Sequence, residues 1–134
     1  MTTSKKSAAA GALAVALCVA GLSTAQAEVT DYEFQLLQTD VKQGNAAIVD
    51  VRLVDKRTGS SVADAVIFAT RIDMAPDGME TMTAPIEVLP STEPGVYRFK
   101  ANLVMAGGWR LSLGAKIQGE TGTLESKLVL KATP

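Results

Sequence analysis

Met74, Met79 and Met82 fall within nine consecutive residues, Met-Ala-Pro-Asp-Gly-Met-Glu-Thr-Met, and Met105 precedes an Ala-Gly-Gly turn. A thioether is soft, polarisable and unprotonated at any pH, so clustered methionines favour Cu(I) or Ag(I) over hard cations. The same side chain is also an adaptable filler of irregular cores. The four methionines divide between these roles. Met74 continues an apolar face formed by Val66, Phe68 and Ile72, which suits a core residue at a strand end as well as a ligand. Met79 and Met82 follow the Pro76-Asp77-Gly78 turn, where exposed apolar side chains are a poor use of surface unless something binds there. Met105 either approaches this methionine-rich loop or caps the end of the fold.

Other chemistry is sparse. The chain has no histidine, and its one cysteine, Cys18, lies in an N-terminal apolar run. Serine triads, thiol chemistry and histidine-ligated zinc are therefore excluded from a chain that has lost that run. Asp73, Asp77 and Glu80 are close enough in sequence to act as acid and base or to hold a hard cation. Asp77-Gly78 is equally an ordinary turn, with Asp73 and Glu80 as solvated loop ends. Gly107-Gly108 leads into a strand, which excludes a phosphate-cradling loop at a helix N-terminus. Trp109 heads a core-facing set. These residues predict a protein that is not an enzyme.

Residues 1–27 have the form of a cleaved secretory signal peptide, with Lys5 and Lys6 ahead of the apolar stretch Ala8 to Leu22 and Ala25-Gln26-Ala27 at the cleavage point. Leu17 before Cys18 is not the small residue that lipid attachment requires. The expected product is periplasmic, begins at Glu28, and has no segment suited to membrane insertion. Removing 27 of 134 residues leaves 107, enough for one domain, residues 28–134. That domain carries 11 basic and 14 acidic groups, a net charge of −3, which argues against a nucleic-acid partner.

Apolar and polar residues alternate between short Gly, Pro, Asn and Asp clusters, the pattern of half-buried strands. Strands are expected over Asp31 to Gln38, Ala47 to Val54, Ala65 to Asp73, Thr83 to Leu89, Tyr97 to Leu103, Trp109 to Ile117 and Thr123 to Lys131. Lys42 to Asn45 is expected as a turn. Tyr97, Phe99, Ala101 and Leu103 alternate with Arg98, Lys100 and Asn102, placing the first set inside. Seven antiparallel strands at this spacing predict an all-β, immunoglobulin-like sandwich, with a closed barrel as the alternative.

Met74 through Met82, Pro85, Gly95-Val-Tyr97 and Met105-Ala-Gly-Gly-Trp109-Arg-Leu-Ser-Leu113, taken together, resemble the YtkA-like domain family, which includes FixH-type proteins. The resemblance covers Ile48 to Leu130. It implies a small extracytoplasmic β-sandwich with an accessory role in copper handling, heavy-metal efflux or respiratory-oxidase assembly. Such loops often carry a histidine near the methionines, whereas this chain has Asp77-Gly78-Met79. That departure favours Cu(I) over Cu(II) as the cargo of Met74, Met79, Met82 and Met105. The alternative is an interaction or assembly module that contacts a membrane efflux or oxidase-assembly component without holding metal.

Overall fold

The computed structural model describes residues 28–134; the expected signal peptide, residues 1–27, lies outside the described residues. A 3₁₀ turn, Val29–Asp31, opens the chain, with Glu28 and Asp31 forming a capping box. Nine strands follow: β1 (Tyr32–Leu36), β2 (Asp40–Lys42), β3 (Gly44–Asp55), β4 (Val66–Met74), β5 (Met79–Thr83), β6 (Ile86–Leu89), β7 (Val96–Leu103), β8 (Gly107–Lys116) and β9 (Leu124–Thr133). They form two sheets, ordered β1-β3-β7-β6 and β2-β9-β8-β4-β5. The order β1-β3-β7-β6 against β9-β8-β4 is that of the two sheets of an immunoglobulin-like sandwich. The sheets remain open at their edges, which sets aside the barrel.

Two strands exceed the expected seven. β2 occupies part of the segment read as a turn, leaves only Gln43 between itself and β3, and pairs parallel with β9. The sandwich is therefore not wholly antiparallel. β5 lies where a methionine loop was expected. The Thr83 to Leu89 run, read as one strand, instead changes sheets at Ala84-Pro85. The Ala84 N–H donates to the Ile72 carbonyl in one sheet, while the Pro85 carbonyl accepts from Asn102 in the other. Pro85 has no N–H to continue a ladder.

The core follows the alternation. Trp109, Leu111, Leu113, Ala115 and Ile117 are buried from β8 and the residue after it, facing Val49, Val51 and Leu53 of β3 and Phe99, Ala101 and Leu103 of β7. Each large side chain removed fully from water contributes about 2–3 kcal/mol, so these strands carry most of the burial energy. β4 departs from the pattern. Its ladder with β8 slips between Ile67 and Ala69, inserting Phe68 as an extra residue. Val66 and Phe68 are consequently exposed, and Ile67 takes the inward position expected for them.

Candidate functional site

Met74 closes β4 and is fully buried, at 0% exposure. The chain then makes a 3₁₀ turn, Ala75–Asp77, with Pro76 in its first positions and Gly78 as a left-handed cap at φ 75°. Pro76 fixes its own φ and needs no helical donor, while Gly78 takes the positive φ without a Cβ penalty. β5 returns from this turn, with Met79 opposite Met74 and Thr83 opposite Asp73. Glu80, Thr81 and Met82 lie between those pairings as a bulged segment. The expected methionine-rich loop is thus a β-hairpin. Met79 is 37% exposed, whereas Met82 is half-buried against the core.

Asp73 was expected at a solvated loop end, but it is the one fully buried acidic residue described. Its Oδ2 accepts from Arg71 Nε at 2.9 Å and from Arg110 at 3.2 Å, and its Oδ1 accepts from the Ala75 N–H at 2.9 Å. Burial alone would raise the carboxyl pKa. The Ala75 amide and the two guanidinium groups outweigh it and hold the pKa below the ordinary aspartate value. Arg71 also donates to the Glu80 carbonyl at 2.7 Å, tying β4 to the bulged part of β5. One carboxylate therefore fixes the turn, the neighbouring strand β8 and the returning strand together.

The β7–β8 turn packs on this hairpin. The Trp109 indole, fully buried, donates to the Met105 carbonyl at 3.0 Å, and the Gly108 N–H donates to Asp77 Oδ2 at 3.1 Å. Gly107 adopts φ +138°, and a Cβ there would meet the Asp77 carboxylate and lie 2.9 Å from the Met74 methyl. Glycine is required by both conformation and contact. Met105 is 39% exposed in the same turn.

Met74, Met79 and Met105 therefore belong to connected parts of one sandwich end, with Met74 beneath Gly107 and Met79 beside it in the ladder. Met82 is directed to packing, and Met74 is a core residue rather than a surface ligand. Among the described residues no three His, Cys, Asp or Glu side chains gather as a cation site, so Asp73, Asp77 and Glu80 do not converge. The residues that hold this end in place, Arg71, Asp73 and Arg110, were not singled out as a network. The Arg71-x-Asp73 spacing, which puts both side chains on one strand face, is the sequence signal that points to it.

The strand order and the shared core define an immunoglobulin-like β-sandwich domain. The YtkA-like family model matches residues 26–114, and the chain belongs to that family. The match begins earlier than the resemblance from Ile48, taking in β1 and β2, and ends within β8. No curated protein matches the sequence significantly. Among solved structures, the crystal structure of the Lin-41 filamin domain is similar at 16% identity and a TM-score of 0.44, covering 83% of this chain and 98% of that one. Among the described residues no helix is long and apolar enough to cross a membrane.

Proposed function

We propose that this domain is an exported, non-catalytic carrier of a soft cation, Cu(I) or Ag(I), working in copper handling or heavy-metal efflux. The observation that carries the reading is the pair of exposed thioethers, Met79 at the start of β5 opposite buried Met74 and Met105 in the turn whose Gly107 covers Met74. Thioethers select soft monovalent ions, and the absence of a gathered carboxylate or imidazole set among the described residues gives hard cations and zinc no comparable site. Met79 and Met105 are the primary ligands, Met74 is the group nearest behind them, and Met82 contributes packing. The hydrogen bonds that tie the hairpin and the glycine turn to the sandwich, through Asp73, Asp77 and Trp109, support the reading because a carrier gains affinity when its ligands are held before the ion arrives.

Anaerobic titration of Cu(I) into the purified protein, against a competing chelator, tests the proposal. Stoichiometric uptake that is lost in the Met79→Leu, Met105→Leu double variant is expected. Uptake that survives the double variant removes these ligands from the site, and no uptake by the wild type ends the metal reading. The second reading, an interaction module for an efflux or oxidase-assembly complex, is favoured by the full burial of Met74 and the packing of Met82. It requires no metal.

A further inference from the structure

The outer face of the β2-β9-β8-β4-β5 sheet has an electrostatic character unlike the rest of the molecule. Strand alternation sends Lys42, Arg71, Arg110, Lys116, Lys127 and Lys131 to this face, six of the domain's eleven cations. Asp40, Asp73 and Glu125 accompany them on the strands, with Asp77 seated against Gly108 and Glu80 on the edge strand β5, five of the domain's fourteen anions. A domain with a net charge of −3 thus carries a net positive sheet face. The opposite sheet handles its charges differently: Arg98 is paired with Asp50, Lys100 with Glu87, and Arg52 with Glu93. Among the described residues Lys116, Lys127 and Lys131 have no ion-pair partner, and both face arginines share the single Asp73 carboxylate. Unpaired like charges on one face repel each other in the free protein and become favourable only opposite negative charge.

A trough runs along this face. Its floor is the small-residue stretch Ser112 and Gly114 of β8, and its walls are Phe68 and Arg71 from β4 and Glu125 and Lys127 from β9, enclosing about 410 Å³. Arg71 and Lys127 flank Ser112 in the same cross-strand row. The extra residue in β4 turns Phe68 outward, 55% exposed, over Gly114, where a Cβ would come within 3.2 Å of the ring. Bulges re-aim side chains in this way, and exposed aromatic residues serve as anchors at protein interfaces.

We propose that this face is a docking surface for an acidic, extended segment of a partner protein. The segment lies along β8, sets an apolar side chain against Phe68, and directs its carboxylates to Arg71, Lys127 and Lys116. Charge complementarity argues for the occupant, and a floor that follows β8 from Ser112 to Gly114 between flanking side chains of β4 and β9 suits an extended chain. The proposal is independent of the methionine reading, since the two features occupy different parts of the sheet.

Fluorescence anisotropy tests it, using the purified protein and a fluorescein-labelled oligoglutamate peptide with one central leucine as the probe. The expected result is saturable binding that weakens with added salt and by about tenfold in Lys116→Glu with Lys127→Glu. Lys56→Glu, outside the face, is the control and should leave binding unchanged, while Phe68→Ser should weaken it at every salt concentration. No binding, or equal loss in the Lys56 control, overturns the proposal. So does lysine-dependent binding to vesicles rich in phosphatidylglycerol that displaces the peptide, because the face would then belong to a lipid surface.

Discussion

Replacing Asp73 with alanine should destabilise the domain by about 3 kcal/mol. The Ala75 amide loses its acceptor at a half-buried position, which costs about 1–2 kcal/mol. Arg71 and Arg110 have side chains 51% and 25% exposed, so water rehydrates them and each lost ion pair counts for no more than about 1 kcal/mol. For a domain of this size the sum lowers the midpoint of thermal unfolding by roughly 12 °C. Asp73→Asn keeps an acceptor for Ala75 while losing the charge, and should cost about half as much. The folded-state pKa of Asp73 is depressed, so its stabilisation is complete above the unfolded value of about 3.9 and is lost as pH falls through the folded value. Circular-dichroism melts at neutral pH and in acid measure both effects. A midpoint shift below about 2 °C for the alanine variant, or a difference from wild type that does not shrink in acid, would refute this account of the network.

Met74→Ala should cost about 2–5 kcal/mol by opening a cavity under Gly107, whereas Met79→Leu and Met105→Leu should each stay within about 0.5 kcal/mol; urea denaturation separates the three. Gly107→Ala should cost more than about 2 kcal/mol, because the methyl group meets Asp77 and Met74 at a positive φ, and the same denaturation series reads it. Tyr97 donates to the Val62 carbonyl and accepts from the Ala65 N–H, so Tyr97→Phe should cost about 1–2 kcal/mol and speed proteolysis of the segment between β3 and β4. Burial raises the Tyr97 pKa despite the Ala65 hydrogen bond. Its contribution is therefore present below the unfolded value of about 10 and lost as pH rises through the folded value, which alkaline melts of wild type and Tyr97→Phe would compare.

Where a strand is long and pairs on both sides, its burial can be read from alternation alone. β8 buries Trp109, Leu111, Leu113 and Ala115 as that pattern requires, and β3 and β7 behave alike. Failures occur where the ladder is irregular or short. β2 contributes a single inward residue, Val41, and its existence depends on β9 arriving from the far end of the chain. In β4 Ile72 and Met74 point inward as alternation requires, and only Val66 and Phe68 fall on the other face, because the inserted Phe68 reverses the alternation ahead of the slip. Of the four methionines, alternation alone did not separate the exposed Met79 and Met105 from the buried Met74 and the core-packed Met82, because their exposure depends on the hairpin and the β7–β8 turn. Asp73 offered no apolar signature, since its burial comes from two arginines, one of them on a strand distant in sequence.

The parallel pairing of β2 with β9 has a mechanical consequence. β1 and β2 lie in different sheets, joined by Leu37 to Thr39, so the start of the domain is laced across the sandwich before meeting its last strand. The Lys131 N–H donates to the Thr39 carbonyl at 2.7 Å, and the Gln43 N–H to the Thr133 carbonyl at 2.8 Å. Once tension from the N-terminal side passes the β1–β3 pairing, it acts along β2 and β9 in opposite directions, so their hydrogen bonds are sheared together rather than peeled open in sequence. The fold resists stretching at the point where its beginning and its end are fastened side by side.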